Sequence, residues 1–287
     1  MPDSIEQILR QAEQSLATVS DSARLDAEVL LATVLDKNRS YFIAFPEHVL
    51  SDIQHAEFQH LLTKRQNGQP IAHITGQREF WSLELDVNEH TLIPRPDTEV
   101  LIEFVLQQFP QQSLNVADLG TGSGAIAIAL SSEKPDWHIV ATDKSEQALE
   151  TAQNNAKKHN CQHIDFRQGS WFEALGTQLP DSGRFDLIIS NPPYIPEQDP
   201  HLQQGDVRFE PVSALASGSD GLDDIRHLIK QAPNHLSKNG WLILEHGYDQ
   251  KQAIYQLFSQ AGYEHIVQID DYAGNPRVSA GQFPSQP

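Results

Sequence analysis

Residues 116–128, with the sequence VADLGTGSGAIAI, decide the fold of this chain. A short, mostly apolar stretch is followed by three glycines in five positions, and then by an apolar stretch that suits a buried helix. Glycines let the backbone turn tightly and approach a ligand closely, and the first N–H groups of the following helix are free to bind that ligand. A strand, a glycine loop and a helix in this order predict a nucleoside-binding unit.

An acidic residue, Asp143, ends the next predicted strand, 23 residues after Gly120. At that position a carboxylate can accept hydrogen bonds from both hydroxyls of a ribose. The glycines are spaced as Gly-x-Gly-x-Gly, whereas dinucleotide-binding proteins have Gly-x-Gly-x-x-Gly. This spacing favours a nucleoside with an amino-acid tail, such as S-adenosylmethionine, over a pyrophosphate. A tight turn with a purely structural role is the alternative interpretation.

Strands and helices are predicted to alternate after residue 114. The predicted strands are 114–119, 138–143, 164–168, 185–190 and 240–246, and the predicted helices lie near 124–132, 145–159, 222–236 and 249–261. This alternation predicts an α/β fold, a Rossmann-like and mostly parallel sheet with helices on both faces.

The segment Asn-Pro-Pro-Tyr, residues 191–194, directly follows the apolar strand 185–190. One proline is enough to end a strand, and the second adds rigidity, because each proline fixes its own φ and keeps the preceding residue extended. Ligands of open parallel sheets bind beyond the carboxyl ends of the strands, so this segment shares an edge with the glycine loop. The predicted catalytic residues are Asn191, Pro192 and Tyr194, and the predicted substrate-binding residues are Asn191, Pro192, Pro193 and Tyr194.

An Asn side-chain oxygen beside a rigid backbone carbonyl forms a pair of hydrogen-bond acceptors, which suits a planar NH2 group. Tyr194 would add a flat surface for the substrate or for a cationic sulfonium. Two acceptors that pull the hydrogens of an amide or amino nitrogen out of its plane would localise its lone pair for attack on a methyl group. The leaving group would be a neutral thioether, so a strong general base is not required. A rigid strand-to-loop turn is the alternative here.

The first 70 residues have the apolar spacing of helices, which predicts a small helical bundle. The predicted apolar faces are Ile5, Ile8, Leu9, Ala12 and Leu16 in a first helix; Leu25, Val29, Ala32 and Leu35 in a second, from about Ser22; and Ile53, Phe58, Leu61 and Leu62 in a third, capped by Ser51 and ending near Gly68. The intervening segment 41–45 is expected to pack inward.

The pattern changes after residue 70. From Ile71 to Ile93 apolar and polar residues alternate, which predicts a strand pair, and Asp97 is then expected to cap a helix. We therefore predict three parts: a helical bundle over 1–70, a β-hairpin linker over 71–93, and a methyltransferase domain over 94–287.

The composition limits the classes of partner. Twenty basic residues against 39 acidic ones give a formal charge of −19, and both the first 90 residues and the remainder are acidic. Proteins that bind long nucleic acids use Lys and Arg to neutralise phosphates, so we expect neither a nucleic-acid partner nor, without an apolar span, a membrane. A single cysteine excludes a disulfide framework, and the N-terminus lacks the pattern of a signal peptide. We expect a cytoplasmic monomer.

The segment 159–163, His-Asn-Cys-Gln-His, resembles a metal-binding pattern. It lacks a fourth ligand nearby, which a zinc site usually needs. We predict an ordinary surface loop and a protein without a metal.

Several motifs together resemble one family along essentially the whole chain. They are Ile74-Thr75-Gly76 through Glu79-Phe80, Leu92-Ile93-Pro94-Arg95-Pro96-Asp97-Thr98-Glu99, Asp118 to Gly124, Asn191 to Ile195, Phe209-Glu210-Pro211 with Ala214-Leu215, Asp220-Gly221-Leu222, and Asp271-Tyr272-Ala273-Gly274 with Arg277-Val278. With these motifs the chain is similar to the release factor glutamine methyltransferases, which are class I S-adenosylmethionine enzymes that modify the Gly-Gly-Gln glutamine of peptide chain release factors. Where that family has Gly after Phe-x in the linker, this chain has Trp81-Ser82.

The resemblance implies a set of site residues. The cofactor S-adenosylmethionine, which yields S-adenosylhomocysteine, would be bound by Gly120, Thr121, Gly122, Ser123, Gly124, Asp143, Trp171 and Asn191. Trp171 would lie beside the adenine, and Asn191 to Tyr194 would receive the glutamine amide. The N-terminal bundle would recognise the release factor.

Three other functions are alternatives to this one. A DNA adenine-N6 methyltransferase also uses Asn-Pro-Pro-Tyr on a flipped base, but it needs a basic groove. A glutamine methyltransferase acting on a ribosomal protein would have nearly the same site. A cofactor-binding module without catalysis would not need the intact 191–194 segment.

Overall fold

The computed structural model describes residues 3–110, 113–176 and 184–284. The chain forms two compact units. The first contains the chain through Gln77 together with Gln203–Phe209, and the second contains Arg78–Leu202 and the chain from Glu210 onward. The boundaries predicted at 70 and 93, and the roles given to the parts, stay predictions.

The first unit is built from helices. They are α1 (Ile5–Leu16), α2 (Ala23–Leu35), α3 (Arg39–Ala44), α4 (Asp52–Gln66) and α5 (Ile71–Thr75). The predicted stripe of α1 is confirmed, because its five apolar members are all buried. The predicted cap of α4 is also confirmed: the Ser51 hydroxyl accepts the Gln54 N–H at 3.3 Å, and the Gln54 side chain accepts the Ser51 N–H at 3.0 Å.

Other details of this unit correct the sequence predictions. Leu25 was assigned to the buried face of α2, but it is 43% exposed. The buried face instead includes Asp26, whose carboxylate accepts a hydrogen bond from buried Arg65 of α4 at 2.8 Å. Because α2 is apolar at most positions, its spacing fits more than one face, and the observed face contains Ala27, Leu30 and Leu31 together with the predicted Leu35.

The third predicted face and the inward segment are only partly right. Ile53 is 80% exposed in the first turn of α4, although Phe58 and Leu62 are buried as predicted. Phe42 is the buried residue of segment 41–45, while Ile43 is 84% exposed. These residues lie at helix ends, where apolar spacing says little about which face is covered.

A hairpin of β1 (Gln77–Phe80) and β2 (Leu83–Asp86) follows, and the second unit begins within β1, at Arg78. The predicted strand pair is confirmed but shorter, since the helix α5 occupies its first residues. The helix α6 (Glu99–Gln108) follows a 3-10 turn over Pro96–Thr98. Asp97 does not cap α6, as Thr98 occupies the N-cap, and the Asp97 carboxylate instead pairs with Arg277 at 3.2 Å.

A seven-stranded sheet forms the centre of this unit. In chain order its elements are β3 (Asn115–Leu119), α7 (Ala125–Glu133), β4 (His138–Asp143), α8 (Glu146–Lys158), β5 (Asp165–Gln168), β6 (Phe185–Ser190), α9 (Asp223–Gln231), β7 (Leu236–Glu245), α10 (Lys251–Gln260), β8 (Glu264–Asp270) and β9 (Pro276–Gln282). The strand order is β5-β4-β3-β6-β7-β9-β8, with β9 antiparallel to both of its neighbours.

The predicted alternation of strands and helices is confirmed, with two differences. α9 ends at Gln231 rather than near 236, because Pro233 lies in a separate 3-10 turn and β7 begins at Leu236. The strands β8 and β9 were not predicted.

The sheet is covered on both faces. On β3, Val116 belongs to one buried apolar cluster, whereas Ala117 and Leu119 belong to another on the opposite face. Apolar residues at consecutive positions of one strand are typical of a parallel sheet between two helical layers.

Candidate active site

The site lies where the order of the sheet reverses. From β3 the chain continues to β4 and β5 on one side, then returns to β6 on the other side of β3. Ligands of open parallel sheets bind at such a switch point, beyond the carboxyl ends of the strands. The glycine loop follows β3 and segment 191–194 follows β6, so the topology makes the two predicted motifs neighbours.

The glycine loop needs its glycines for conformation and for space. Gly120, Gly122 and Gly124 all have φ in the left-handed region, between 57° and 85°. A Cβ at Gly120 would lie 3.2 Å from the Trp171 ring, and one at Gly124 would lie 2.8 Å from Ile128. At Gly122 a Cβ would project into open space, so that position faces a volume that a ligand can fill.

Asp143 at the end of β4 is held in one orientation. Its Oδ2 accepts the Gly122 N–H and its Oδ1 accepts the Ser145 N–H, both at 2.9 Å. The loop is fixed to the same strand, because the N–H groups of Gly120 and Thr121 both donate to the Thr142 carbonyl at 2.8 Å. A second lone pair on each carboxylate oxygen remains for a ligand hydroxyl.

A buried carboxyl, Asp118, lies beneath the loop at the end of β3. Its Oδ2 accepts the Thr121 hydroxyl at 2.6 Å. Burial raises the pKa of Asp118 to about 7, and the nearby Asp143 charge acts in the same direction, whereas the Thr121 hydrogen bond lowers it. The Thr121 hydroxyl is therefore bound to a buried carboxyl beneath the loop.

Trp171 forms a wall of the site after β5. Its backbone is in the left-handed region, with φ of 47°, and its indole N–H donates to the Asp224 carboxylate at 3.1 Å. Non-glycine residues adopt such a conformation only where their surroundings enforce it. The ring is thereby held against Gly120.

A cavity of about 180 Å³ connects these groups. Six of the predicted site residues line it: Gly120, Gly122, Asp143, Trp171, Asn191 and Pro193. Within the described chain, its lining does not include the other five predicted residues, Thr121, Ser123, Gly124, Pro192 and Tyr194.

Several lining residues were not predicted as site residues. They include Glu89, His90, Leu92, Lys144, Ser145, Gly169, Ser170, Pro211, Ser213 and Ala214. Leu92, Pro211 and Ala214 belong to the family motifs quoted above, so those motifs could have indicated that these residues lie at the site. Glu210 joins two of those motifs, because it pairs with Arg95 and accepts the Ile93 N–H at 3.0 Å.

Segment 191–194 is held by contacts on both sides. The Tyr194 N–H donates to the Leu215 carbonyl at 3.1 Å, and the Tyr194 carbonyl accepts from the Gln250 side chain at 2.9 Å. The Asn191 side-chain N–H donates to the Thr98 hydroxyl at 3.4 Å. This contact leaves the other end of the Asn191 amide, its Oδ1, for a substrate.

The Tyr194 side chain contacts a buried acid. Its hydroxyl donates to Glu245 Oε1 at 3.5 Å, and Glu245 is 1% exposed at the end of β7. Burial raises the pKa of Glu245 to about 7, against the lowering effects of the Thr98 hydroxyl and the Arg277 charge. Burial also raises the pKa of the Tyr194 hydroxyl well above its usual range, so Tyr194 stays protonated and acts as a donor.

The predicted loop 159–163 has partners other than a metal. His159 Nε2 lies 2.8 Å from the Glu84 carbonyl, and His163 Nε2 lies 2.9 Å from the Ser131 hydroxyl. Among residues 3–110, 113–176 and 184–284, no group of three or more His, Cys, Asp or Glu is placed to bind a metal ion. The same residues contain no helix that is both long and apolar enough for a membrane span.

Comparison with known proteins identifies the family. The family model "PrmC N-terminal domain" matches residues 7–76, and "Methyltransferase small domain" matches residues 96–206. The release factor glutamine methyltransferase of Escherichia coli (strain K12) is 49% identical over 275 residues, which cover 96% of this chain and 97% of that protein. The protein of the same name from Vibrio cholerae serotype O1 is 47% identical over 287 residues, 100% of this chain and 99% of its own length.

The chain belongs to the release factor glutamine methyltransferase family. The resemblance inferred from the sequence motifs is therefore confirmed.

Solved structures support the fold of this family member. A methyltransferase from Pyrococcus furiosus aligns with a TM-score of 0.52 at 17% identity, over 79% of this chain and all of that one. The hMettl16 catalytic domain in complex with an RNA hairpin aligns with a TM-score of 0.56 at 15% identity, over 90% of this chain and 94% of that one. At these identities the likeness shows the fold alone, and it confirms the predicted class I methyltransferase fold.

Proposed function

We propose that this protein transfers a methyl group from S-adenosylmethionine to the side-chain amide nitrogen of the glutamine in the Gly-Gly-Gln motif of peptide chain release factors. The observation that carries the proposal is Asn191, which lines the cavity formed with the glycine loop and Asp143 and whose side-chain N–H is held by Thr98. The names of the relatives support the substrate, and the cavity supports the cofactor.

The cavity residues suit an adenosyl cofactor. Gly122 faces open space, the Asp143 carboxylate is fixed for a diol, and the Trp171 ring offers a flat apolar surface at Gly120. Residues 120–124, with Asp143, Trp171 and Asn191, would bind it. When bound, S-adenosylmethionine would supply an electrophilic methyl group on a sulfonium and become the neutral thioether S-adenosylhomocysteine, while the methylated amide nitrogen loses one of its protons to water.

The protein's part in the reaction is to orient the glutamine amide. Asn191 Oδ1 and the Pro192 carbonyl each accept one N–H of the substrate amide, which turns the nitrogen lone pair toward the cavity. Thr98 accepts the Asn191 N–H, so it selects the orientation in which Asn191 presents an oxygen. Positioning of this kind can supply a large part of a rate enhancement, provided that the reacting atoms are held within about 3–3.5 Å.

The partner follows from the same proposal. The release factor would be recognised by residues 1–70, and the remaining chain would catalyse transfer. We retain the expectation of a monomer that acts in the cytoplasm.

Separate incubations with three methyl acceptors test the proposal. The protein would be incubated with isotope-labelled S-adenosylmethionine and a release factor, a ribosomal-protein extract or an adenine-containing DNA oligonucleotide. We expect label in the release factor, and none in a release factor whose Gly-Gly-Gln glutamine is replaced by alanine. Label in ribosomal protein or DNA alone would contradict the substrate assignment, while absence of label in all three would contradict the activity.

A further inference from the structure

Trp171 lines the cavity with its backbone in an unfavourable conformation, and a side-chain hydrogen bond holds its indole. Its φ of 47° lies in the left-handed region, which tryptophan rarely adopts. The indole N–H donates to Asp224 Oδ1 at 3.1 Å. Residues in such conformations persist only where the surrounding structure fixes them, and Asp224 supplies a fixed acceptor on a different element, α9.

Asp224 is itself fixed by a second pair of hydrogen bonds. Its Oδ2 accepts the Ser217 hydroxyl at 2.6 Å, and its own N–H donates to the Ser217 Oγ at 2.8 Å. Ser217 is 3% exposed, so water competes little for these contacts. The Asp224 carboxylate therefore has one oxygen committed to Ser217 and the other to the indole of Trp171.

Ser217 connects this arrangement to the acceptor motif. Its N–H donates to the Ile195 carbonyl at 2.9 Å, and the Ile195 N–H donates to the Leu215 carbonyl at 2.9 Å. Ile195 directly follows Tyr194. The Trp171 ring and the Asn-Pro-Pro-Tyr segment are thus both joined to the residues 215–217 between β6 and α9.

We infer that Asp224 is a positioning residue that holds the Trp171 indole against the glycine loop and thereby sets the affinity for the adenosyl ligand. This inference rests on the proposed cofactor site. Asp224 does not need to contact the ligand, because its effect passes through the indole N–H.

The alternative is that Asp224 only stabilises the start of α9. Asp224 lies in the first turn of α9. A carboxylate at that position stabilises any helix, because the N-terminus of a helix carries a partial positive charge. Asp223 offers a matched control, since it lies in the same turn, is exposed, and pairs with Arg226 at 3.0 Å. A change at Asp223 removes a similar charge from the same helix terminus without contact to Trp171.

The test is calorimetric binding of S-adenosylhomocysteine to the full-length protein. We expect Asp224→Ala to weaken binding about tenfold, the equivalent of one hydrogen bond. Asp224→Asn, which keeps an acceptor for the indole, should recover most of that loss. Asp223→Asn should bind like the parent protein.

A double-mutant cycle separates positioning from helix stability. Trp171→Phe keeps a ring but removes the N–H donor, so adding Asp224→Ala to Trp171→Phe should cost less than twofold in affinity. A second tenfold loss in that background, or parental affinity of Asp224→Ala, would overturn the inference. If the parent protein itself fails to bind S-adenosylhomocysteine, the cofactor site is wrong, and that result is distinct from either outcome. Thermal unfolding of each variant gives the fraction that is folded at the temperature of the titration. The affinities are compared only under conditions in which that folded fraction is the same for all variants.

Discussion

At the scale of single residues, the arrangement around Asn191 is decided by what each group can donate. Thr98 is 4% exposed and accepts the Asn191 N–H at 3.4 Å. Without that acceptor the Asn191 amide could rotate and present its NH2 group to the substrate, which has only N–H groups to offer there. The proposed function therefore assigns to the Thr98 hydroxyl a role that the Ile-Pro-Arg-Pro-Asp-Thr-Glu motif alone does not reveal.

Thr98→Val should test this role, because valine keeps the shape of threonine and loses the hydroxyl. We expect kcat to fall about tenfold, the effect of one buried hydrogen bond, with S-adenosylhomocysteine affinity unchanged. Thr98→Ser is the matched control and should retain most of the activity. Equal kcat for the valine and serine variants would show that Asn191 needs no such partner.

Glu245 should make stability depend on pH. Burial raises the pKa of Glu245 from 4.5 to about 7, and the Asp97 charge acts in the same direction. The hydrogen bonds from Thr98 and Tyr194 and the charge of Arg277 lower this pKa, but they do not outweigh burial. Because the folded state holds this proton more tightly than the unfolded state does, the free energy of unfolding should decrease as the pH rises from about 4.5 to about 7, then level off.

Comparison with Glu245→Gln isolates this effect, because Asp118, whose pKa is also raised to about 7, contributes equally to both proteins. Urea unfolding at pH 5 and pH 8 should show the glutamine variant gaining about 2 kcal/mol relative to the parent at the higher pH. A difference that does not change with pH would mean that Glu245 is ionised throughout.

At the scale of elements, the hairpin between β1 and β2 is strained at its turn. Trp81 and Ser82 have φ of 53° and 58°, the two positive values that a type I′ turn requires. Contacts of the tryptophan support the conformation: its N–H donates to Glu99 at 2.9 Å and its indole to Glu133 at 2.8 Å. Ser82 is exposed and has only the backbone cost.

Ser82→Gly should therefore stabilise the protein by about 0.5–1 kcal/mol, since glycine adopts positive φ freely but is also freer in the unfolded chain. Denaturant unfolding of the parent and variant measures this directly. Ser132→Gly, inside α7 at ordinary helical geometry, is the matched control and should destabilise by about 0.5 kcal/mol. Loss of stability at position 82 would contradict the account of the turn.

Most of the strands and helices of the second unit could be predicted from the sequence, but the last two strands could not. The strands β3 to β7 and the helices between them were predictable, because alternating apolar segments and glycine or proline breaks mark them. The strands β8 and β9 were missed because neither has a strong pattern: β9 reads Pro-Arg-Val-Ser-Ala-Gly-Gln, and β8 forms the edge of the sheet.

The placement of the candidate site residues was predictable where each directly follows a recognisable strand, as in the glycine loop, Asp143 and Asn191. It was not predictable where the function depends on contacts between distant segments. Asp224 lies 53 residues from Trp171, and Asp26 pairs with Arg65 across 39 residues. The spacing of residues along the chain contains no information about such partners. The motifs behind the family resemblance include Leu92 and Pro211, but they do not reveal that these two residues line the cavity.

At the scale of the whole molecule, charge and topology agree on the kind of substrate. The formal charge of −19 disfavours long nucleic acids, although the Asn-Pro-Pro-Tyr segment would suit an adenine amino group as well as an amide. The cavity, with Asn191 in its lining, lies at the switch point of the sheet. A protein amide is an acceptor that is compatible with both properties.

The most direct measurement is tandem mass spectrometry of a release factor after incubation with S-adenosylmethionine and either the parent protein or Asn191→Ala. We expect one methyl group on the side-chain amide of the Gly-Gly-Gln glutamine with the parent protein. With Asn191→Ala we expect no detectable methylation, although that variant should bind S-adenosylhomocysteine within about threefold of the parent, because the cofactor site loses only one contact among many. A methyl group at another residue, or full methylation by the alanine variant, would contradict the central claim that Asn191 and Pro192 present the glutamine amide for transfer.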